Sequence, residues 1–181
     1  EEMTDNTRRY VEQIANRTEA LKALTEELFR YSVVSSVSDL NYENVNVGRM
    51  LEDTLISFYG AFEKKNITPN ISLPDSAVVR SLDKSALSRI FGNIISNAVK
   101  YSDGDFTVTM TNTGEITFSN TASEFSSVDV GKLFDRFYTV DSARKSTGLG
   151  LSIAKLLTER MGGCISADYK GNMLSITLSF E

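Results

Sequence analysis

The N-terminal segment constrains the fold most, because residues 5–37 contain neither Pro nor Gly. Apolar residues recur there on one heptad seam, which consists of Val11, Ile14, Leu21 and Leu28, with Thr18 and Thr25 at the intervening positions. A helix of this length runs roughly 50 Å, which is longer than a small domain is wide. We therefore expect a helix that projects from the body. The 3.5-residue period favours pairing in a coiled or bundled dimer over packing against its own domain.

The remaining sequence divides into a short connection and one compact domain. We predict a helix within residues 1–38, a polar linker over 39–46 and a domain over 47–181. Asn46, the last linker residue, caps a helix through about Lys64, and Asp83 caps a second helix. A third helix begins near Leu149 and ends at Gly162.

Strands are predicted between and after these helices. The strand patterns occupy residues 67–73, 78–82, 106–110, 116–118, 165–169 and 174–180. The turn sequences Asn112-Thr113-Gly114 and Lys170-Gly171-Asn172 predict two antiparallel hairpins. This order predicts an α+β fold, a two-layer sandwich whose mixed, largely antiparallel sheet is covered on one face by helices.

Composition excludes several classes of function. The net charge of −5 argues against a nucleic-acid partner. Cys164 is the only cysteine, which excludes an intrachain disulfide and fits a reducing compartment. Without histidine, neither Ser-His-Asp nor Cys-His catalysis is possible. No apolar run reaches the ~20 residues of a bilayer span, so we expect a soluble chain that does not contact the membrane directly.

The second predicted helix carries a cluster of polar residues suited to a ligand. Asn93 and Asn97 are four residues apart and emerge from one face, and Lys100 and Tyr101 follow within a turn. An amide oxygen suits a hard cation, an ammonium group suits phosphate and an aromatic ring suits a base. Taken alone, the cluster is equally consistent with an ordinary helix end.

A second candidate segment precedes the third helix. In Gly148-Leu149-Gly150-Leu151 the backbone amides at a helix N-terminus are unobstructed and can hold an anion. Upstream, Arg136 lies between aromatic residues in the segment 133–138. A solvated basic loop is the alternative interpretation of that segment.

In this order, the three segments resemble the catalytic and ATP-binding domain of sensor histidine kinases, which has the Bergerat ATP-binding fold. The residues from Asn93 to Ser102 match its N box, those from Leu133 to Tyr138 its F box, and those from Thr147 to Ile153 its second glycine box. The resemblance implies ATP and Mg²⁺ as cofactors, with Asn93 as the metal ligand. It implies ATP-binding roles for Asn93, Asn97, Lys100, Tyr101, Asn120, Arg136, Tyr138, Thr147, Gly148, Leu149, Gly150 and Leu151, under a lid of residues 141–147.

The same resemblance implies partners. The long first helix is similar to the second helix of the dimerisation and phosphotransfer hairpin, which implies a homodimer and a phosphoacceptor histidine outside these residues. Phosphate would pass to a response regulator. The chain would then be a cytoplasmic fragment of a membrane-anchored protein.

The chain departs from the family pattern at two points. It has no histidine, the residue that the family phosphorylates, and its first glycine box is altered. The family's first glycine box is Asp-x-Gly-x-Gly, whereas residues 120–124 here are Asn-Thr-Ala-Ser-Glu. Asn120 is a neutral acceptor whose amide can turn to present a donor, which predicts a modest preference for adenine. A nucleotide-binding or scaffold pseudokinase and a serine kinase of the same fold are the alternative functions.

Hydrolysis of ATP is a less favoured function for this chain. Gyrase, chaperone and mismatch-repair ATPases of similar fold place a glutamate base four residues before the asparagine that matches Asn97. This chain has Asn93 at that position. Because an amide cannot take a proton from water, phosphoryl transfer is favoured over hydrolysis.

Overall fold

The computed structural model describes residues 5–36, 40–123, 125, 129–139 and 147–181. The helices there are α1 (Asp5–Ser36), α2 (Val47–Ser57), α3 (Tyr59–Lys64), α4 (Lys84–Tyr101) and α5 (Gly150–Arg160). The strands there are β1 (Tyr42–Asn46), β2 (Thr68–Ser72), β3 (Val79–Asp83), β4 (Asp105–Met110), β5 (Ile116–Thr121), β6 (Cys164–Lys170) and β7 (Met173–Ser179).

The main sheet has the strand order β2-β4-β5-β7-β6 within the described residues. Strand β2 pairs with β4 in parallel, and the other neighbours pair antiparallel, so the predicted mixed, largely antiparallel sheet is confirmed. Along β5 the buried residues Ile116, Phe118 and Asn120 alternate with half-buried ones. Ile116 and Phe118 belong to the same apolar core as the buried residues of α2, α4 and α5, which is the two-layer α+β packing that the sequence predicts.

Helix α1 extends over 32 residues, as predicted. Its seam residues Val11, Ile14, Leu21 and Leu28 are between 47% and 65% exposed. The hydroxyls of Thr18 and Thr25 donate to the carbonyls one turn earlier, each at 2.8 Å, so these polar groups need no partner from outside the helix. The seam is therefore uncovered in the single chain.

The cap residues of the next two helices are those that the sequence predicts. Oδ1 of Asn46 accepts the Arg49 N–H at 3.1 Å, and Oδ1 of Asp83 accepts the Ala86 N–H at 2.8 Å. Each bond satisfies a backbone donor that has no acceptor within its helix.

The helix predicted through Lys64 is interrupted at Phe58, which separates α2 from α3. The Ser57 hydroxyl donates at 2.6 Å to the Thr54 carbonyl, the acceptor that the Phe58 N–H would use in a continuous helix. The Phe58 N–H bonds instead to Leu55 at 3.0 Å. The tightened turn ends α2, so the prediction of one continuous helix was wrong.

The predicted linker over 39–46 is also corrected. Residues Tyr42–Asn46 form β1, which pairs antiparallel with β3 in a separate two-stranded sheet. Only Val45 is buried in this strand. The other positions are exposed or half-buried and mostly polar, which is why the segment resembles a linker in the sequence. The compact domain therefore begins at β1, before Val47.

Candidate functional site

Helix α4 carries the predicted polar residues beside its packed face. Ile90, Ile94 and Ile95 are fully buried in the core, whereas Asn93 and Asn97 are half-buried next to them. From Asn93 to Tyr101 the helix advances about 12 Å. One helix can therefore present groups to the two ends of an elongated ligand.

At the first of these ends, Asn93 lies against the start of α5. A Cβ added at Gly150 would be 3.7 Å from Oδ1 of Asn93, so the structure brings the N box and the second glycine box together. Nδ2 of Asn93 is buried and has no hydrogen-bond partner among the described residues. An orphaned buried donor is costly, which indicates that a ligand completes this environment.

The start of α5 offers backbone donors beside Asn93. Leu149 is the N-cap residue, and no side chain caps this helix. The Leu149 N–H itself donates to the Thr147 hydroxyl at 3.4 Å, while the N–H groups of the first turn have no acceptor within the helix. With the amide oxygen of Asn93 as a ligand for a hard cation, these groups fit a metal-bound phosphate.

The F box packs directly on the second glycine box. Phe137 donates its N–H to the Gly148 carbonyl at 3.0 Å. A Cβ at Gly148 would lie 2.6 Å from both the Phe137 carbonyl carbon and the Tyr138 oxygen, and Gly148 has a φ of +69°. Only glycine suits such a position. Arg136 is exposed and Tyr138 half-buried, on either side of this contact.

At the second end of α4, Tyr101 packs against Phe125 and Lys100. Its buried ring packs edge-on against Phe125, with 5.5 Å between centroids, and Nζ of Lys100 lies 5.2 Å from the Tyr101 centroid. The Asp103 N–H donates to the Thr121 carbonyl at 2.9 Å. This bond joins the end of α4 to the end of β5, where Asn120 is located.

Asn120 is buried, and the structure gives its amide a defined orientation. Its Nδ2 donates to the Thr121 carbonyl at 3.1 Å. The sequence leaves this amide free to turn, whereas here a turn would break that bond. Oδ1 has no hydrogen-bond partner among the described residues and is left as an acceptor.

The segment that replaces the first glycine box is anchored by residues that the sequence reasoning missed. Asp105 accepts hydrogen bonds from Thr121, and the Tyr169 hydroxyl donates to the Ala122 carbonyl at 3.0 Å. Neither residue belongs to a motif, so no sequence signal pointed to them. Glu124 and residues 141–146 of the predicted lid lie outside the described residues.

A cavity of about 890 Å³ lies elsewhere, between α2, α3 and β2. Its lining includes apolar residues such as Leu55, Ile56 and Phe62, with Glu52 and Asp75 also lining it. It includes none of the residues predicted for nucleotide binding. We therefore assign the candidate site by its convergent polar groups on α4 and α5 rather than by cavity volume.

The described residues contain neither a metal-ligand cluster nor a membrane-spanning helix. Among them, no cluster of three or more His, Cys, Asp or Glu residues could hold a metal. No helix in the described ranges has both the length and the apolar character required to cross a membrane.

Comparison with known families accounts for this arrangement. Residues 82–181 match the family described as histidine kinase-, DNA gyrase B- and HSP90-like ATPases. The match begins just before α4 and includes every residue that the sequence predicted for nucleotide binding. The chain belongs to this family.

Relatives within the family include sensor kinases. The chain is 28% identical over 190 residues to the sensor histidine kinase YcbM of Bacillus subtilis, covering 97% of this chain and 61% of that protein. The chain thus spans less than two thirds of that relative's length.

Solved structures confirm the fold. The Acinetobacter baumannii histidine kinase AdeS matches with a TM-score of 0.70 and 20% identity, covering 98% of this chain and 85% of that one. Full-length ShkA in complex with AMPPNP matches with a TM-score of 0.71 and 20% identity, covering 98% of this chain and 39% of that one.

Proposed function

We propose that this chain is the ATP-binding kinase domain of a two-component sensor histidine kinase. It transfers the γ-phosphate of ATP to a histidine outside these residues, from which the phosphate passes to a response regulator. The observation that carries the proposal is the orphaned amide of Asn93, which lies against Gly150 at the start of α5. Relatives of this chain that are named sensor histidine kinases support a kinase over the gyrase-like and HSP90-like members of the family.

The residues at the first end of α4 bind the metal and the phosphates. The Asn93 oxygen would hold Mg²⁺, which neutralises phosphate charge when it is bound. The amides from Gly148 to Leu151 hold the phosphates, with Thr147 at the edge of that segment. Asn97 and Lys100 bind the phosphates from the helix side, and Arg136 adds positive charge from the F box.

The base lies at the other end of the same helix. Tyr101 and Tyr138 contribute aromatic surface, and Oδ1 of Asn120 accepts a hydrogen bond from the base. The ShkA structure with AMPPNP, which shares this fold, supports binding of an adenine nucleotide.

Transfer is favoured over hydrolysis because Asn93 carries an amide. A hydrolase needs a base that takes a proton from water, and an amide does not provide one. Positioning and charge neutralisation suffice for phosphoryl transfer to a supplied acceptor.

The exposed seam of α1 supports homodimerisation in the complete protein. Four apolar residues at heptad spacing remain uncovered in the single chain, and a second hairpin would bury them in a four-helix core. We further propose that the chain is the cytoplasmic part of a membrane-anchored protein.

Labelling with ATP that carries a radioactive γ-phosphate tests the proposal. The chain alone, which contains no histidine, should acquire no acid-labile, base-stable label. Extension through the preceding hairpin helix should produce that label, and replacement of the histidine on that helix should remove it.

The other outcomes separate the alternatives. Binding of MgATP by the extended protein without labelling would favour a scaffold or pseudokinase. The absence of both glycines from residues 120–124 is the sequence feature that supports this alternative. An acid-stable label on serine would favour a serine kinase.

A further inference from the structure

We propose that Asp105 and Thr121 form a clamp that fixes the Asn120 amide in one orientation, so that the site selects adenine over guanine nucleotides without a carboxylate. The proposal rests on the proposed function, because it concerns the base end of the same site. It assigns positioning roles to two residues outside the three motifs.

The carboxylate of Asp105 holds Thr121 at two points. Oδ1 accepts the Thr121 N–H at 2.7 Å, and Oδ2 accepts the Thr121 hydroxyl at 2.8 Å. The Ser102 hydroxyl donates to the backbone carbonyl of Asp105, which ties the clamp to the end of α4. Bonds to a charged acceptor are stronger than neutral ones, so Thr121 has little freedom.

The fixed Thr121 carbonyl in turn orients Asn120. It accepts the Asp103 N–H at 2.9 Å and Nδ2 of Asn120 at 3.1 Å. If the amide turned, Oδ1 would face the carbonyl oxygen with no proton between them. Asn120 is only 4% exposed, so water cannot readily replace the lost bond.

This orientation determines which base can pair with Asn120. The free Oδ1 can accept from the amino group of adenine, whereas guanine presents a carbonyl oxygen at the corresponding position. Guanine would therefore meet an acceptor that cannot turn. Loss of one such hydrogen bond corresponds to about a tenfold change in affinity, so we expect the chain to bind MgATP about tenfold more tightly than MgGTP.

Calorimetric titration of the full chain with MgATP and MgGTP tests the clamp through the ratio of the two affinities. Asp105→Asn and Thr121→Val should each lower the ratio several-fold, mainly because GTP binds better when the amide can turn. Thr117→Val is the matched control, since Thr117 lies on β5 and its hydroxyl bonds to the Thr177 hydroxyl, at 3.3 Å, away from Asn120. That control should keep the parent ratio.

Thermal unfolding of each variant shows whether it folds. If Asp105→Asn does not fold, Thr121→Val alone tests whether the clamp sets the ratio of the two affinities. An unchanged ratio in Thr121→Val, with MgATP still bound, would overturn the clamp and leave the proposed function intact. Binding of neither nucleotide by the parent chain would instead overturn the proposed function, and the clamp with it.

Discussion

Replacement of Gly148 by alanine should damage the site more than any other single methyl group added to the second glycine box. The φ of +69° costs an L-residue about 1–2 kcal/mol. The new Cβ would also lie 2.6 Å from backbone atoms of Phe137 and Tyr138, which cannot move aside by rotating a side chain. Overpacking of this kind costs about 1–3 kcal/mol.

Two other glycines separate these contributions. Gly162 has a φ of +76° with no atom within 4 Å of an added Cβ, so Gly162→Ala should cost about 1–2 kcal/mol from the backbone alone. Gly150 lies in the first turn of α5, and an added Cβ would make ordinary contacts with Asn93 at 3.7 Å or more. Gly150→Ala should leave stability unchanged or raise it by about 0.5–1 kcal/mol.

Urea unfolding and MgATP calorimetry on the three variants measure the effect. Gly148→Ala should cost about 2–5 kcal/mol in total, either as global destabilisation or as detachment of the F box from Gly148. A local cost of about 2 kcal/mol corresponds to about a 30-fold loss of nucleotide affinity. If Gly148→Ala matched Gly162→Ala in stability and kept the parent affinity, the close packing of the two motifs would be refuted.

Three further predictions concern other parts of the chain. Asn93→Ala should remove the Mg²⁺-dependent part of nucleotide affinity with little change in unfolding temperature, because the lost Nδ2 has no partner in the described structure; an equal Mg²⁺ enhancement in mutant and parent would exclude this role. Leu21→Asp should shift sedimentation of the extended protein towards monomer, whereas Asn16→Asp, which adds the same charge off the seam, should not; identical profiles would contradict the seam. Asp83→Ala should lower the free energy of unfolding by about 1–2 kcal/mol through loss of the α4 cap, and exposed Asp53→Ala serves as the control that should have little effect.

Local signals explain which parts of the fold the sequence predicts. The turn between β6 and β7 requires a positive φ at both central residues, and Gly171 and Asn172 have φ values of 59° and 65°. Helix α4 follows similarly from its cap at Asp83 and the helical spacing of its apolar residues. In both cases neighbouring residues contain enough information to define the element.

Other features depend on contacts that sequence patterns do not record. Strand β1 exists because it pairs with β3, more than thirty residues later, and a single buried valine gives it no alternating pattern. The break at Phe58 coincides with a hydroxyl bond from Ser57 to the Thr54 carbonyl. A propensity argument detects neither.

The candidate site divides in the same way. Motif residues on α4 and α5 could be named from the sequence, because each motif is contiguous. The support of Asn120 by Asp105, through Thr121, could not, because the two residues are fifteen positions apart and lie on different strands. The orientation of the Asn120 amide is therefore a property of the fold rather than of the motif.

The central claim is that the nucleotide binds along α4 at the start of α5. Titration of the ¹⁵N-labelled chain with Mg²⁺ and a non-hydrolysable ATP analogue tests this claim most directly, by the positions of the amide signals that shift. The account predicts the largest shifts at the backbone amides from Gly148 to Leu151 and at the side-chain amides of Asn93 and Asn120. Shifts confined to the cavity residues, such as Glu52 and Ile56, with none at Asn93, would contradict it.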